Sequence, residues 1–301
     1  MKAVLIHETG GPDVLSYEET ERPEPGEGEV LIAVRAASVN PIDWKIRRGL
    51  RETQLPKILG NDVSGVVEVS RAEDFVEGDE VFGIAPSGGY AQFATAPGAM
   101  IAKKPAGMSH EQAAALPVAG MTAWQALFDR GGLQEGQSAL VAGGAGGVGH
   151  LAVQFAKHVG ARVLATGSSR NREFVMGLGA DEYIDYTSQD IGERAKDVDV
   201  AFDTVGGETT ESLLPALRAG GVLVTIANAP PEQAAAERGA RAELLVMSPS
   251  SELLARIARL LTEGEVRVEI ARTFPLGQAR QAHELSEAGH TRGKIILVAS
   301  D

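Results

Sequence analysis

The most regular pattern of apolar and polar positions covers residues 138–166. An apolar run at 139–142 is followed by a turn rich in glycine. Apolar residues then recur at the spacing of one buried helix face, at Val148, Leu151, Ala152, Phe155, Ala156 and Val159. Gly160 is the expected C-cap, and a second apolar run ends at Thr166. The pattern predicts a buried strand, a turn, an amphipathic helix and another buried strand.

A similar alternation continues toward the C-terminus. We predict strands at residues 183–186, 197–203, 221–226 and 294–299, and helices at 172–179, 209–218, 253–261 and 278–288. An alanine-rich helical stretch at 111–128 follows Ser109, whose spacing from Gln112 is that of a capping box. Because its strands alternate with helices, this part of the chain is predicted to form a doubly wound parallel sheet.

The first 93 residues have a different pattern, with short apolar stretches between Gly and Pro turns. Strands are predicted at 2–7, 29–36, 63–70, 80–84 and 88–93, which favours a small barrel-like β domain. The polar stretch 38–59 shows no regular period, so we expect an irregular segment with ligand contacts. The fold class is therefore α/β, and the length of 301 residues also suggests two domains.

Composition and charge exclude several classes of function. The net charge of −13 would repel phosphates, so we expect no nucleic-acid partner and no anionic membrane partner. The chain has no cysteine, which excludes disulfides, thiol catalysis and thiolate metal sites. The N-terminal apolar run is too short for a signal peptide, and no run reaches the roughly 18 residues of a membrane span. We expect a soluble, cytoplasmic protein.

A dinucleotide-binding motif follows the first buried strand of the α/β part. Gly144-Ala145-Gly146-Gly147-Val148-Gly149 fits G-x-G-x-x-G between a strand and a helix, the context in which the motif is specific. Gly144 is expected to permit the tight turn and Gly146 to let the backbone approach a pyrophosphate. Gly149 is expected to let the helix pack closely on the sheet. The N–H groups of the first helical turn would then face the anion.

The residues after the second strand of this unit predict the type of nicotinamide cofactor. An NAD-binding fold usually has Asp or Glu there to hold the ribose 2′-hydroxyl. In this chain no acid occurs between Gly149 and Glu173. The strand instead leads into small and cationic residues at Gly167, Ser168, Ser169, Arg170 and Arg172. Because arginine binds phosphate as a planar fork, these residues favour NADP over NAD.

Four sequence motifs together resemble one known family. They are Ser38-Val39-Asn40-Pro41-Ile42-Asp43-Trp44, Gly88-Gly89-Tyr90-Ala91, the glycine turn that begins at Ala142, and Arg292-Gly293-Lys294-Ile295-Ile296. The chain resembles the zinc-independent quinone oxidoreductase (zeta-crystallin-like) branch of the medium-chain dehydrogenase/reductase superfamily. The resemblance implies a GroES-like catalytic domain at 1–115 with 262–301, a Rossmann domain at 116–261, and a homodimer.

The same resemblance implies a set of site residues. The loop that flanks nicotinamide and substrate would supply the catalytic residues Asn40, Asp43 and Trp44, with Asn40 nearest a substrate oxygen. Cofactor contacts are expected at Pro41, Ile42, Thr122, Gly144, Ala145, Gly146, Gly147, Val148, Gly149, Gly167, Ser168, Ser169, Arg170, Tyr186, Thr225, Ile226, Ala227, Asn228, Leu245, Val246, Met247 and Lys294.

No metal site is expected. The family's zinc enzymes carry a Gly-His-Glu motif and cysteine ligands, whereas this chain has Gly60-Asn61-Asp62 and no cysteine. No tyrosine falls where the mitochondrial-type enoyl reductases have their catalytic phenol, so that subclass is disfavoured.

Without a Lewis acid or a strong proton donor, the favoured substrates accept hydride under weak activation. We therefore predict NADPH-dependent hydride transfer to a quinone or an activated alkene or enone. Asn40 and backbone N–H groups would orient the oxygen, and water would supply the proton. Alternatives are a reductase of short enals or enoyl thioesters, and an NADPH-binding sensory or regulatory protein with little turnover. A zinc alcohol dehydrogenase is a third alternative, which stoichiometric zinc would support.

Overall fold

The strands and helices of the chain fall into two structural units. The computed structural model describes residues 1–299. The first unit comprises Met1–Val118, Pro249–Glu263 and the chain from Ile270 onward, and the second comprises Ala119–Ser248 and Gly264–Glu269. Each unit has a hydrophobic core of its own. No helix within 1–299 is both long and apolar enough to cross a membrane.

Strands account for most of the first unit, and strands and helices alternate in the second. In chain order the strands are β1 (Lys2–Ile6), β2 (Ser16–Glu19), β3 (Glu29–Val39), β4 (Lys57–Ile58), β5 (Asp62–Ser70), β6 (Glu80–Ile84), β7 (Phe93–Pro97), β8 (Ile101–Lys103), β9 (Ser138–Ala142), β10 (Arg162–Gly167), β11 (Glu182–Asp185), β12 (Val198–Asp203), β13 (Leu217–Thr225), β14 (Arg241–Leu244), β15 (Ile270–Pro275) and β16 (Lys294–Val298).

The helices are mostly short. In chain order they are α1 (Pro41–Arg47), α2 (His110–Ala114), α3 (Pro117–Trp124), α4 (Gly149–His158), α5 (Arg172–Met176), α6 (Ile191–Arg194), α7 (Glu208–Ser212), α8 (Glu232–Ala236), α9 (Ser251–Thr262) and α10 (Ala279–Glu287). A π-helical segment follows α3 at Gln125–Arg130. Single 3-10 turns lie at Pro12–Val14, Gly98–Met100, Ser169–Asn171, Leu214–Ala216 and Leu276–Gln278.

The first unit contains two sheets. The larger has the order β15-β16-β3-β5-β6-β8, with β7 also paired to β3, and the smaller has the order β2-β1-β4. All of these pairs are antiparallel except β15 with β16. The expected β domain of many short strands is confirmed. The final strand β16 joins it because its apolar residues are buried beside those of β3.

The second unit has one parallel sheet of six strands with the order β11-β10-β9-β12-β13-β14. Counted within this sheet the order is 3-2-1-4-5-6, that of a doubly wound dinucleotide-binding fold. Every residue of the first strand, β9, is buried. The α/β expectation with a doubly wound sheet is therefore confirmed. The order of the strands reverses between β9 and β12, which is where such sheets bind ligands at the carboxyl edge.

The glycine turn has the expected place but a different division of roles. The residue with positive φ is Gly143, at 73°, so the tight turn depends on Gly143 and the role expected of Gly144 was wrong. A Cβ on Gly144 would lie 3.0 Å from the Cβ of Ala165, so Gly144 allows close approach to β10. A Cβ on Gly149 would lie 2.1 Å from the carbonyl oxygen of Gly143, which fits its expected packing role.

The stretch expected to be irregular contains helix α1. Asn40 is its N-cap and Pro41 its first residue, and Asp43 completes a capping box by accepting the backbone N–H of Asn40. These residues are a helix-start signal that outweighs the absence of a long apolar period. The helix is seven residues long, too short for periodicity to reveal it.

Two further expectations differ from the structure. The helix expected at 209–218 ends at Ser212, because Pro215 interrupts it and Leu217 begins β13. Helix α9 groups with the first unit, whereas the sequence-based boundary assigns it to the Rossmann domain. The physical reason is packing, since α9 buries Leu254 and Ile257 and contacts β8. The capping box of Ser109 and Gln112 is confirmed at the start of α2.

Candidate active site and cofactor site

The carboxyl edge of the parallel sheet collects most of the expected cofactor residues. The glycine turn follows β9, Gly167 ends β10 with Ser168 directly after it, and Tyr186 follows β11. On the other side of the switch point, Thr225 ends β13 and Leu245 follows β14. Parallel strands present their carboxyl ends at one edge, so residues far apart in sequence become neighbours there.

The end of β10 is shaped by a tyrosine that sequence reasoning had not assigned to the site. The hydroxyl of Tyr183 donates to the carbonyl oxygen of Ser168 at 2.7 Å. A Cβ on Gly167 would lie 2.3 Å from that hydroxyl oxygen, so the position requires glycine. Burial raises the pKa of Tyr183 to about 12, and the phenol therefore stays protonated as a donor. Tyr183 holds the strand end in place.

Cationic and aromatic groups are exposed beside this strand end. Arg170 and Arg172 are exposed, and Arg172 lies 5.8 Å from the ring centroid of Tyr183. Tyr186 is 49% exposed, and its backbone N–H donates to the carbonyl oxygen of Gly167 at 3.3 Å. The structure therefore brings the expected adenosine-side residues together. On an otherwise acidic protein, these exposed groups are suited to bind a phosphate.

The segments expected near the nicotinamide also meet. The N–H of Leu245 donates to the oxygen of Thr225 at 2.9 Å, next to the paired strands β13 and β14. Thr122 is buried in α3. The π-helical segment that follows α3 is tied to the chain after β14, since Gln125 exchanges two hydrogen bonds with the backbone of Ser248. Ala227 and Asn228 are half-buried, as are Ile226 and Met247, whereas Val246 is exposed.

A carboxylate at the end of β12 supports this edge. Asp203 is fully buried and accepts from the N–H groups of Val205 and Gly206 and from the hydroxyls of Thr210 and Thr225. It therefore links β12 to β13 and to α7. Sequence reasoning missed Asp203, although an acid directly after the apolar run 200–202 was a visible signal.

Strand register in the first unit creates a second polar cluster. Val39 of β3 is paired with Ile295 of β16, and Ser38 is paired with Asp62 of β5. The end of β3 therefore lies beside the starts of both neighbouring strands. Asn40, Asp62 and Lys294 meet at this one sheet edge, although up to 254 residues of sequence separate them.

The side chains of these three residues are linked and buried. The ammonium of Lys294 donates to Asn40 Oδ1 at 2.5 Å, and Asn40 Nδ2 donates to Asp62 Oδ2 at 2.8 Å. Asp62 Oδ1 accepts from the N–H of Val118 at 2.9 Å, and the ammonium lies 3.8 Å from Asp62 Oδ2. Exposure is 3% for Asn40, 0% for Asp62 and 4% for Lys294.

Burial perturbs the two charged members of this cluster in opposite directions. It raises the pKa of the Asp62 carboxyl, with the Lys294 ammonium opposing the change. Burial lowers the pKa of Lys294, while the carboxylates of Asp62 and Asp43 oppose it. Each charge is thus held in place by the other, because an unpaired charge in this environment would be costly.

Asp43 connects this cluster to a buried tyrosine. Asp43 Oδ2 accepts from the backbone N–H of Asn40 and from the hydroxyl of Tyr90, each at 2.8 Å. Burial raises the pKa of Asp43 to about 7, and the nearby Asp62 carboxylate adds to the increase. The Tyr90 ring packs on Gly60, where a Cβ would lie 2.3 Å from two ring carbons. Sequence reasoning noted Tyr90 within a motif but assigned it no role.

The other expected residues of this loop lie at the start of α1. Pro41 is exposed, and Ile42 and Trp44 are half-buried. The indole Nε1 of Trp44 is buried, and no hydrogen-bond partner for it occurs within residues 1–299. Asn40, Asp43 and Trp44 are therefore brought together as expected, whereas the Lys294 ammonium is engaged by Asn40 and Asp62.

Comparisons with known proteins agree with both halves of this description. The family of alcohol dehydrogenase GroES-like domains matches residues 26–106, and a family described as zinc-binding dehydrogenase matches residues 178–297. A chloroplast envelope quinone oxidoreductase homolog from Arabidopsis thaliana is 36% identical, over 96% of this chain and 95% of its own.

An NADPH-dependent alkenal/one oxidoreductase from the chloroplast of Arabidopsis thaliana is 35% identical, over 99% of this chain and 79% of its own. Among solved structures, a quinone oxidoreductase from Coxiella burnetii superimposes with a TM-score of 0.95 at 37% identity. That alignment covers 100% of this chain and 99% of the other.

Proposed function

The chain belongs to the zinc-independent quinone oxidoreductase branch of the medium-chain dehydrogenase/reductase superfamily, and we propose that it transfers hydride from NADPH to a quinone or an activated alkene. The relatives named for quinones and for alkenals or alkenones support this substrate class. In both substrate types, the negative charge that follows hydride addition develops on an oxygen, and an enzyme can stabilise it with fixed hydrogen-bond donors.

The residues of the chain do not fit a catalytic zinc ion, although one matching family is described as zinc-binding. The sequence contains no cysteine, and residues 1–299 hold no group of three His, Asp or Glu side chains placed to bind a metal. Asp62, at the acidic position of the corresponding motif, is already engaged by Asn40 and by the N–H of Val118. Activation of the substrate must therefore come from hydrogen-bond donors.

The carboxyl edge of the parallel sheet fits NADPH. The turn at 143–149 consists mostly of glycine, so the N–H groups at the start of α4 would be open to a pyrophosphate. Arg170 and Tyr186 would hold the 2′-phosphate, and the carboxylate of Asp185, which precedes Tyr186, is occupied by the N–H and hydroxyl of Thr187. NADPH supplies the hydride when bound, while the chain supplies binding and orientation.

The loop at the start of α1 would orient the acceptor. Asn40 would donate its amide N–H to the substrate oxygen, and the apolar faces of Ile42 and Trp44 would exclude water from that oxygen. Water would deliver the final proton. The observation that carries the proposal is that the second unit has a sheet edge suited to NADPH and the first unit has a buried amide donor.

Steady-state rates test the proposal directly. The purified chain is offered 1,4-benzoquinone, a short enal, a short enone and an enoyl thioester, each with NADPH and with NADH. We expect turnover of the quinone or of the enal and enone with NADPH, and much weaker activity with NADH. Turnover of the thioester alone would contradict the substrate class, and tight NADPH binding without turnover of any acceptor would support the sensory alternative.

We also propose a homodimer. Strand β14 is an edge strand of the parallel sheet; its last residue, Leu244, is 43% exposed, and Val246, two residues later, is 76% exposed. A free edge flanked by apolar side chains suits pairing with a second copy around a two-fold axis. Light scattering after gel filtration should give the dimer mass, and Val246→Lys should shift it toward the monomer. A monomeric wild-type chain would refute the proposal.

The same chain is proposed to act in the cytoplasm. The chain has no cysteine and so needs no oxidising compartment to form disulfides, which suits the cytoplasm. Fractionation of cells that express the chain with a C-terminal tag tests the location. Recovery in an organelle or envelope fraction would contradict it.

A further inference from the structure

The amide of Asn40 is held between a buried cation and a buried anion. Its oxygen accepts from Lys294 and its nitrogen donates to Asp62. An ammonium can only donate hydrogen bonds, and an ionised carboxylate can only accept them. A 180° turn of the amide would set its N–H groups against the ammonium and its oxygen against the carboxylate. The two charges therefore select one of the two amide orientations.

This orientation leaves one N–H of Asn40 for a ligand. The amide nitrogen carries two hydrogens, and in residues 1–299 it makes one hydrogen bond, to Asp62. The amide oxygen is not available to a ligand, because it already accepts a hydrogen bond from the Lys294 ammonium at 2.5 Å. Asn40 is therefore presented as a donor, which is what a developing oxyanion requires.

The cation should also strengthen this donor. A cation that donates a hydrogen bond to the amide oxygen draws electron density from the amide nitrogen. The remaining N–H therefore becomes a better hydrogen-bond donor. The interaction occurs where exposure is at most 4%, so water does little to screen it. The ion pair is anchored at its other side, because Asp62 Oδ1 also accepts the N–H of Val118.

We propose that Lys294 and Asp62 are positioning residues that hold the Asn40 amide with one N–H directed to the substrate oxygen. The proposal rests on the proposed function, since it assigns Asn40 as the donor in hydride transfer to a quinone or enone. It gives Lys294 a role different from the cofactor contact expected from the sequence. Neither residue needs to touch the substrate or NADPH.

Paired substitutions test this role without leaving one charge of the pair buried and unpaired. Lys294→Met together with Asp62→Asn removes both charges, and Lys103→Met together with Asp79→Asn is the matched control at a less buried ion pair of the same unit. We expect kcat for the quinone to fall roughly tenfold to a hundredfold in the first double variant. The dissociation constant for NADPH should stay within about twofold, and the control should retain its kcat.

If Lys294 and Asp62 act through Asn40, their effect on kcat should not add to that of removing the Asn40 amide. Asn40→Ala should itself lower kcat, and removal of the charge pair in that background should then change kcat by less than about twofold. Lys294→Arg keeps a cation near the amide oxygen, so its kcat should fall less than that of the Lys294→Met and Asp62→Asn double variant. Losses that multiply in the Asn40→Ala background would overturn the proposal, as would a loss confined to NADPH binding.

A structural readout separates this proposal from the proposed function. In the 15N-labelled protein, the Asn40 side-chain amide protons should exchange slowly with solvent, and in the charge-pair variant they should exchange faster and change chemical shift. These differences between the two proteins, without turnover of any quinone or enone, would mean that the proposed function fails while the positioning holds. Signals that are the same in both proteins would refute the positioning.

Discussion

Replacing Asp43 by Asn should alter how stability depends on pH. Asp43 is 1% exposed, and its Oδ2 accepts from the backbone N–H of Asn40 and from the Tyr90 hydroxyl. Asn can accept both hydrogen bonds through its own Oδ1 but cannot ionise. The substitution therefore removes one buried titration and keeps the geometry of the capping box.

The sign and size of the effect follow from the raised pKa. Burial raises the pKa of Asp43 from 3.8 to about 7 in the folded chain. Between these values the folded chain keeps a proton that the unfolded chain has lost, so wild-type stability falls as pH rises through this window. The shift corresponds to about 4 kcal/mol. The Asp43→Asn variant should lack this fall, so it gains about 4 kcal/mol relative to wild type between about pH 4 and pH 8.

Urea unfolding at a series of pH values measures this difference. Trp44 lies next to Asp43, and the chain has only one other tryptophan, Trp124, so a Trp124→Phe background makes fluorescence report on the first unit. Asp62, Lys294 and Tyr90 face Asp43 and titrate in both proteins, so their contributions largely cancel in the comparison. A stability difference that changes by less than about 1 kcal/mol across the series would refute the raised pKa.

Three further substitutions test the second unit. Gly149→Ala places a Cβ 2.1 Å from a backbone oxygen of the turn, so thermal unfolding should show a loss of roughly 1–3 kcal/mol; an unchanged Tm would contradict the close packing. Asp203→Ala leaves the buried Thr225 hydroxyl and two backbone N–H groups without their acceptor, while the Thr210 hydroxyl keeps only Asn228 Oδ1. Urea unfolding should show a loss of about 3 kcal/mol or more. Glu208→Ala, an exposed neighbour, is the control, and equal losses would refute the network. Arg170→Ala should weaken NADPH binding about tenfold and leave NADH binding unchanged, since one charge-assisted pair to the 2′-phosphate is lost; equilibrium dialysis with both nucleotides decides this.

Local signals in the sequence were sufficient for the parallel sheet and its glycine turn. A buried parallel strand reads as a continuous apolar run, and a buried helix face repeats every three to four residues, so β9, α4 and β10 were each visible by themselves. The edge strand β14 was missed, because its four residues alternate charged and apolar side chains without such a run. The same local reading failed at α1, where the helix is shorter than two full periods and only the N-cap, the proline and the capping acid identify it. It also failed at Gly143, because φ depends on the path of the turn rather than on motif spacing.

The sequence by itself determined the fold class, the glycine motif and the absence of an acid where NAD would need one, because these depend on residues close together in the chain. Only the tertiary structure joined Asn40, Asp62 and Lys294. Their meeting depends on the register of β3 with β5 and with β16, and strand register is decided by side chains of all three strands at once. The same packing removes the three residues from water, and this burial makes their charges strong enough to orient one amide.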